Sequence, residues 1–148
     1  MGITTALCNT FKKELLEGTH TFGTDTFKLA LIKSGESGTY GASTTNYSDV
    51  TGNSDEISNT GNYSAGGADL TSVTVTGGSS ASTAFVDFDN VQFTSATIDA
   101  NGAIIYNSSE GNKAVAIINF GSTQSSDNGT FTVTMPAPGT STAIIRIS

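Results

Sequence analysis

The chain has no tryptophan, one cysteine, one histidine and two prolines in 148 residues. A lone Cys8 excludes an intrachain disulfide and any cysteine-based zinc site. Charge is scarce as well, at 13% of residues against the ~25% of an ordinary globular chain. Cations are the scarcest: six Lys plus Arg face 13 Asp plus Glu, a formal charge of −7. That balance excludes a nucleic-acid binder that works by neutralising phosphates. No run approaches the ~18 apolar residues of a membrane-spanning helix. Met1–Leu7 has neither a basic n-region nor a long apolar h-region, and Ala6 breaks the myristoylation pattern. The expectation is a chain made in a cytoplasm and used without processing.

Ser, Thr, Asn and Gly replace the missing charge, with Thr alone about a sixth of the chain. That bias favours strands and turns over helices. Apolar residues reach 36% without counting 17 glycines, so one domain over 1–148 can bury a core of ordinary size. Ile3, Leu7, Phe11 and Leu15 recur at i, i+4 beside Ala6 and Leu16, and predict a helix at about 3–17. Thr4 or Thr5 would cap its start, and Gly18 stands where a left-handed C-cap belongs. Residues 26–33 alternate as a half-buried strand.

From Ser34 to Gly67 the pattern dissolves into a polar loop holding Tyr40, Tyr47, Val50, Ile57 and Tyr63. So long a stretch without periodic apolar residues predicts mobility in an isolated monomer. Residues 68–148 are β-rich. Strands are expected at Leu70–Thr76, Ala84–Asp89, Ala103–Tyr106, Lys113–Phe120, Thr130–Met135 and Ala143–Ile147. The core face switches near Asn90, which calls for a bulge or a turn. Ala114–Ile118 reads as covered on both faces, and Asp127-Asn128-Gly129 as a turn. The fold expected is all-β, an antiparallel sandwich or jelly-roll-like domain with one N-terminal helix.

Chemistry-bearing groups are few. His20 would have to be the base for any Ser or Cys nucleophile, and Cys8 sits near the buried stripe of the expected helix. A turn histidine and a packed thiol are the simpler reading. Asp87, Asp89 and Asp99 could pair for glycoside hydrolysis or hold Ca²⁺, but solvated acids on an outer strand face fit better. Phosphate-loop, zinc-protease and paired-cysteine motifs are absent. Tyr40, Tyr47 and Tyr63 could stack on sugar rings or anchor the loop to another subunit, and Tyr is favoured at interfaces. The expectation is therefore a protein that is not an enzyme and has no cofactor or metal. Its partner-contact residues would be Tyr40, Asn46, Tyr47 and Tyr63.

Several blocks carry a likeness. They are Thr5–Gly18, Asp25–Leu31, Tyr63–Gly67, Phe93–Ile98 with Gly102–Asn107, Lys113–Ile117 with Asn119–Gly121, Gly129–Val133 and Ala143–Ile147. In these the chain resembles a family of small structural proteins of tailed bacteriophages, especially those of marine and cyanobacterial hosts. Asn101 stands where relatives often carry a basic residue. The resemblance implies a virion component; the position expected for it is the capsid surface, as a decoration or cement protein. Its partners would be the major capsid protein and further copies of itself, as a homo-oligomer such as a trimer, with no nucleic acid and no membrane. A tail or fibre-associated component and a carbohydrate-binding module are the alternatives, with a glycoside hydrolase behind them.

Overall fold

A computed structural model describes residues 2–148. The fold is all-β and sandwich-like. At its N-terminus Gly2–Ile3 (β1) pairs in parallel with Thr39–Tyr40 (β4). The main sheet is built from Ala6–Leu7 (β2), Phe27–Lys33 (β3), Ala68–Asp69 (β5), Val91–Asn107 (β8) and Lys113–Val133 (β9), in the order β2-β9-β8-β3-β5. A second sheet joins Thr74–Thr76 (β6), Ala84–Asp87 (β7) and Ile145–Ile147 (β10), in the order β10-β7-β6. The α-helices are Asn9–Leu16 (α1) and Ser48–Gly52 (α2).

The β8–β9 hairpin dominates. Its inner half is buried on both faces: every residue from Gly102 to Asn107 and from Ala114 to Ile117 is buried. The continuous apolar runs there reflect cover on both sides, as expected for Ala114–Ile118 except that Ile118 is only half-buried. In its outer half β8 alternates, with Val91, Phe93, Ala96, Ile98 and Ala100 inward and their neighbours turned towards solvent. Asp127-Asn128-Gly129 does not turn the chain. Asn128 takes a φ of 47° inside β9, where the register against β8 slips between Ala96 and Ile98. A left-handed residue flanked by paired strands is a bulge; it twists the ribbon without ending it. The face switch near Asn90 is a crossing: Val86 belongs to the second sheet, Phe88 lies just past the end of β7 with its ring near Phe27 of the main sheet, and Val91 and Phe93 belong to the main sheet.

The N-terminal helix is shorter than its periodicity implies. Residues 2–7 hold the short edge strands instead, with Ala6 and Leu7 opposite Ile117 and Ala116. Their amides have better partners outside a helix: Thr4 N–H donates to the Tyr40 carbonyl at 2.9 Å and Cys8 N–H to that of Val115 at 2.9 Å. A sheet edge offered to the chain outweighs weak local helix propensity. Neither Thr4 nor Thr5 caps α1, and Cys8 occupies the cap position without a side-chain bond. Gly18 does adopt the expected left-handed conformation, with φ 76°. The core joins both sheets and α1 through aromatic rings. Phe22 stacks on Phe27 at 4.6 Å between centroids, and Phe88 lies 6.5 and 6.4 Å from those two rings.

Candidate interaction surface

The polar stretch 34–67 has no long element, yet it is tied down by two adjacent carboxylates. Neighbours on an extended chain point to opposite sides, so Asp55 and Glu56 serve different clusters. Asp55 is fully buried and accepts from the Tyr40 hydroxyl at 2.6 Å, Gly38 N–H at 2.9 Å and Ser37 N–H at 3.0 Å. Lys33 Nζ lies 3.7 Å away. Burial by itself would raise the Asp55 pKa, but the donors from Tyr40, Ser37 and Gly38 outweigh it and hold the carboxyl below its usual range. Glu56 accepts from the Tyr47 hydroxyl, the Tyr63 hydroxyl at 2.8 Å and Gly66 N–H at 2.6 Å. Tyr63 also accepts from Leu31 N–H at 3.0 Å, which joins the loop to β3.

Burial takes Tyr40 and Tyr63 out of the sequence-based set of contact residues, while Asn46 and Tyr47 stay partly exposed. Tyr40 and Tyr63 are buried, and burial raises both phenol pKa values, that of Tyr40 to about 12. Tyr47 is half-buried and stacks on Tyr106 at 4.4 Å. Asn46 donates to the Gly111 carbonyl at 2.9 Å and accepts from Ser48 N–H at 3.0 Å. All four side chains fasten the loop to its own domain. The tyrosines looked available because the acids that receive their hydroxyls carry no sequence signature. Asp55 and Glu56 are the residues that sequence reasoning missed.

The catalytic candidates are not brought together. Cys8 Sγ faces the Gly41 carbonyl at 3.9 Å, and burial pushes its thiol pKa up to about 12. His20 lies in the core between Phe11 and Phe27, with Nε2 3.2 Å from Glu14 Oε1. Its Nδ1 receives the Asn107 amide at 3.0 Å. The Asn107 carbonyl oxygen accepts from Ser109 N–H, which fixes the amide orientation and so assigns the His20 proton to Nε2. Asp89 accepts from Ser72 Oγ at 2.6 Å and Asp99 from Ser125 Oγ at 2.5 Å. Asp87 sits on β7 opposite Thr74. Among the described residues no group of three or more His, Cys, Asp or Glu could hold a metal ion, and no helix is long and apolar enough to cross a membrane.

One face is uncovered. Leu16 is 89% exposed, Val75 61% and Ile147 57%, the large apolar side chains most open to solvent among the described residues. They line two adjoining hollows that share Leu15, Ile145 and Ile147. The larger, of 340 Å³, is a groove between α1 and β10 that includes Leu7, Phe11, Lys12, Leu16 and Arg146. The smaller, of 110 Å³, continues over Phe22, Val75 and Phe85. Local sequence explains the geometry. Pro136 and Pro138 follow the end of β9, and Arg146 Nη1 staples the returning chain to the Ser141 and Ala143 carbonyls at 2.8 and 3.1 Å. Ile145 then packs inward, while Ile147, two residues on and on the same side, runs past the core. Among the described residues no Asp or Glu lines either hollow, although the chain carries 13.

No protein-family model, curated protein or solved structure matches this chain.

Proposed function

We propose that the chain is a non-enzymatic structural protein of a tailed-phage virion, a decoration or cement subunit that binds the assembled head. The observation that carries this reading is the uncovered apolar face of Leu16, Val75 and Ile147 on a surface otherwise rich in Ser, Thr, Asn and Gly. Contiguous exposed apolar surface rimmed by polar residues marks a binding site for another macromolecule. The low charge density supports the same reading, because a Ser/Thr/Asn surface enters an interface without desolvating ions. Family likeness in the sequence supplies the virion context, and self-association as a trimer would match local threefold positions of a shell. The sugar-binding alternative depended on exposed tyrosines, and the burial of Tyr40 and Tyr63 leaves it without a supporting feature.

Copy number on purified particles tests the reading. A shell subunit is expected in hundreds of copies per particle, and a few or a dozen at one vertex would overturn it in favour of a tail component. Exchange of Leu16→Ser together with Ile147→Ser should leave the fold intact and lower occupancy on stripped heads by at least ~10-fold, about 1.4 kcal/mol.

A further inference from the structure

We propose that the groove between α1 and β10 receives an extended segment of the partner protein, apolar at alternate positions and acidic between them, as a strand added to the open edge of β10. The proposal rests on the reading of the chain as a subunit that binds another protein, and names what that partner must present. β10 is the outer strand of its sheet: Ile145, Arg146 and Ile147 pair with Val86, Phe85 and Ala84 on one side, and among the described residues no strand lies on the other. Open edges template pairing, and proteins ordinarily blunt them with charge, proline or a covering element. Here the edge borders a 340 Å³ groove walled by Leu7, Phe11, Leu15 and Leu16. Backbone pairing along β10 would supply affinity, and the walls would select alternate apolar side chains. At ~1.5 Å per residue the eight residues of α1 make a wall about 12 Å long, the span of roughly four extended residues.

Charge decides the occupant. Lys12 and Arg146 are the charged residues among those lining the groove, Arg146 with its guanidinium held by the Ser141 and Ala143 carbonyls; no Asp or Glu side chain among the described residues lines it, and the molecule as a whole carries −7. A second copy paired edge to edge across a twofold axis would set Arg146 opposite Arg146 at its centre, and like charges directly opposite are destabilising. The chain's own segment of matching composition, Ala84-Phe85-Val86-Asp87, is already β7 and is paired on both edges. An acidic, alternately apolar strand from a different chain meets both requirements.

Titration of the folded chain with two capped hexapeptides, one alternating Val with Glu and one alternating Val with Lys, tests this by amide chemical shifts. The acidic peptide is expected to saturate below millimolar concentration, with shifts confined to Leu15, Leu16 and Ile145–Ile147, at least ~10-fold tighter than the basic one. Lys12→Glu, on the exposed surface of α1, should erase that preference, and Arg146→Glu should do the same if it folds. Equal affinity for the two peptides, shifts elsewhere, or no saturable binding would overturn the proposal. So would concentration-dependent shifts at Ile145–Ile147 without peptide, which would make a second copy the occupant. If the acidic peptide fails while the chain still loads heads in hundreds of copies, strand addition falls and the shell reading stands. Peptide binding by a chain absent from shells gives the converse.

Discussion

Asp55 is the residue on which the 34–67 stretch depends. In a fully buried site it receives donors from Tyr40, Gly38 and Ser37, with Lys33 more distant. Removing it leaves those donors without an acceptor, so Asp55→Ala should cost about 3–5 kcal/mol of unfolding free energy in urea. Asp55→Asn keeps the shape and loses the charge, and should cost about 2 kcal/mol. The pH dependence has a definite sign. Its folded-state pKa lies below the ordinary value of 3.8, so the unfolded chain binds the extra proton in the acid range. The stabilisation is complete above about pH 5 and is lost as the pH falls through and below the ordinary carboxylate range. Asp55→Asn should flatten that acid limb of the stability curve, measured as urea midpoints across the acid range. Cys8 offers a separate check. With its thiol buried and its pKa pushed to about 12, it should resist alkylation at mildly alkaline pH until denaturant unfolds the chain.

Among the elements, the polar stretch behaves as a packed layer. Ile57 N–H donates to the Leu31 carbonyl and Lys33 N–H to the Asp55 carbonyl, so the segment runs beside β3 as an irregular extra strand. Amide exchange in a dilute monomer should therefore show protection at Lys33, Gly38 and Ile57, contrary to the mobility that its composition suggests. Gly67 is the tightest point of that layer. It has a φ of +80°, and a Cβ there would overlap the backbone of Leu29 and Ala30 in β3. Gly67→Ala should cost about 2 kcal/mol or more, because both the left-handed backbone and the close approach are lost. Thermal melts of the variant against wild type measure it. Gly35, with open space around its missing Cβ, is the control: alanine there should cost less, an amount set by its φ of +71° alone.

For the whole molecule, the proposed role predicts attachment to a preassembled shell. A subunit that binds only the assembled state stabilises it by mass action, and many weak contacts over a lattice sum without a single strong one. Heads carrying the chain should release their contents at a higher temperature than stripped heads. The salt dependence of loading should be shallow, since among the described residues lining the apolar face only Lys12 and Arg146 carry charged side chains, and Arg146 is held by the Ser141 and Ala143 carbonyls. A loss of binding of several orders of magnitude between low and high salt would contradict that apolar mode. Light scattering at micromolar concentration should report a multiple of the 15.1 kDa chain, with a trimer expected.

The sequence by itself determined the all-β class, the doubly covered run around Ala114–Ile117, the left-handed end of α1 at Gly18 and a strand at 26–33, which the structure places at Phe27–Lys33 and buries on both faces from Leu29 to Ile32 instead of half-burying it. Each is a local pattern of period, propensity or glycine that the chain's neighbours do not overrule. The tertiary structure decided the rest. Residues 2–7 joined sheet edges because the carbonyls of Tyr40 and Val115 were there to accept amides from Thr4 and Cys8. Asp127-Asn128-Gly129 became a bulge because β8 continues opposite it. Tyr40 and Tyr63 went inside because Asp55 and Glu56, distant from them in sequence by 15 and 7 residues, accept their hydroxyls. The apolar face was legible only in fragments, as Leu15 and Leu16 at one end of the chain and Ile145 and Ile147 at the other. Their meeting depends on how β10 returns beside α1, and spacing along a chain carries no information about a contact made across it.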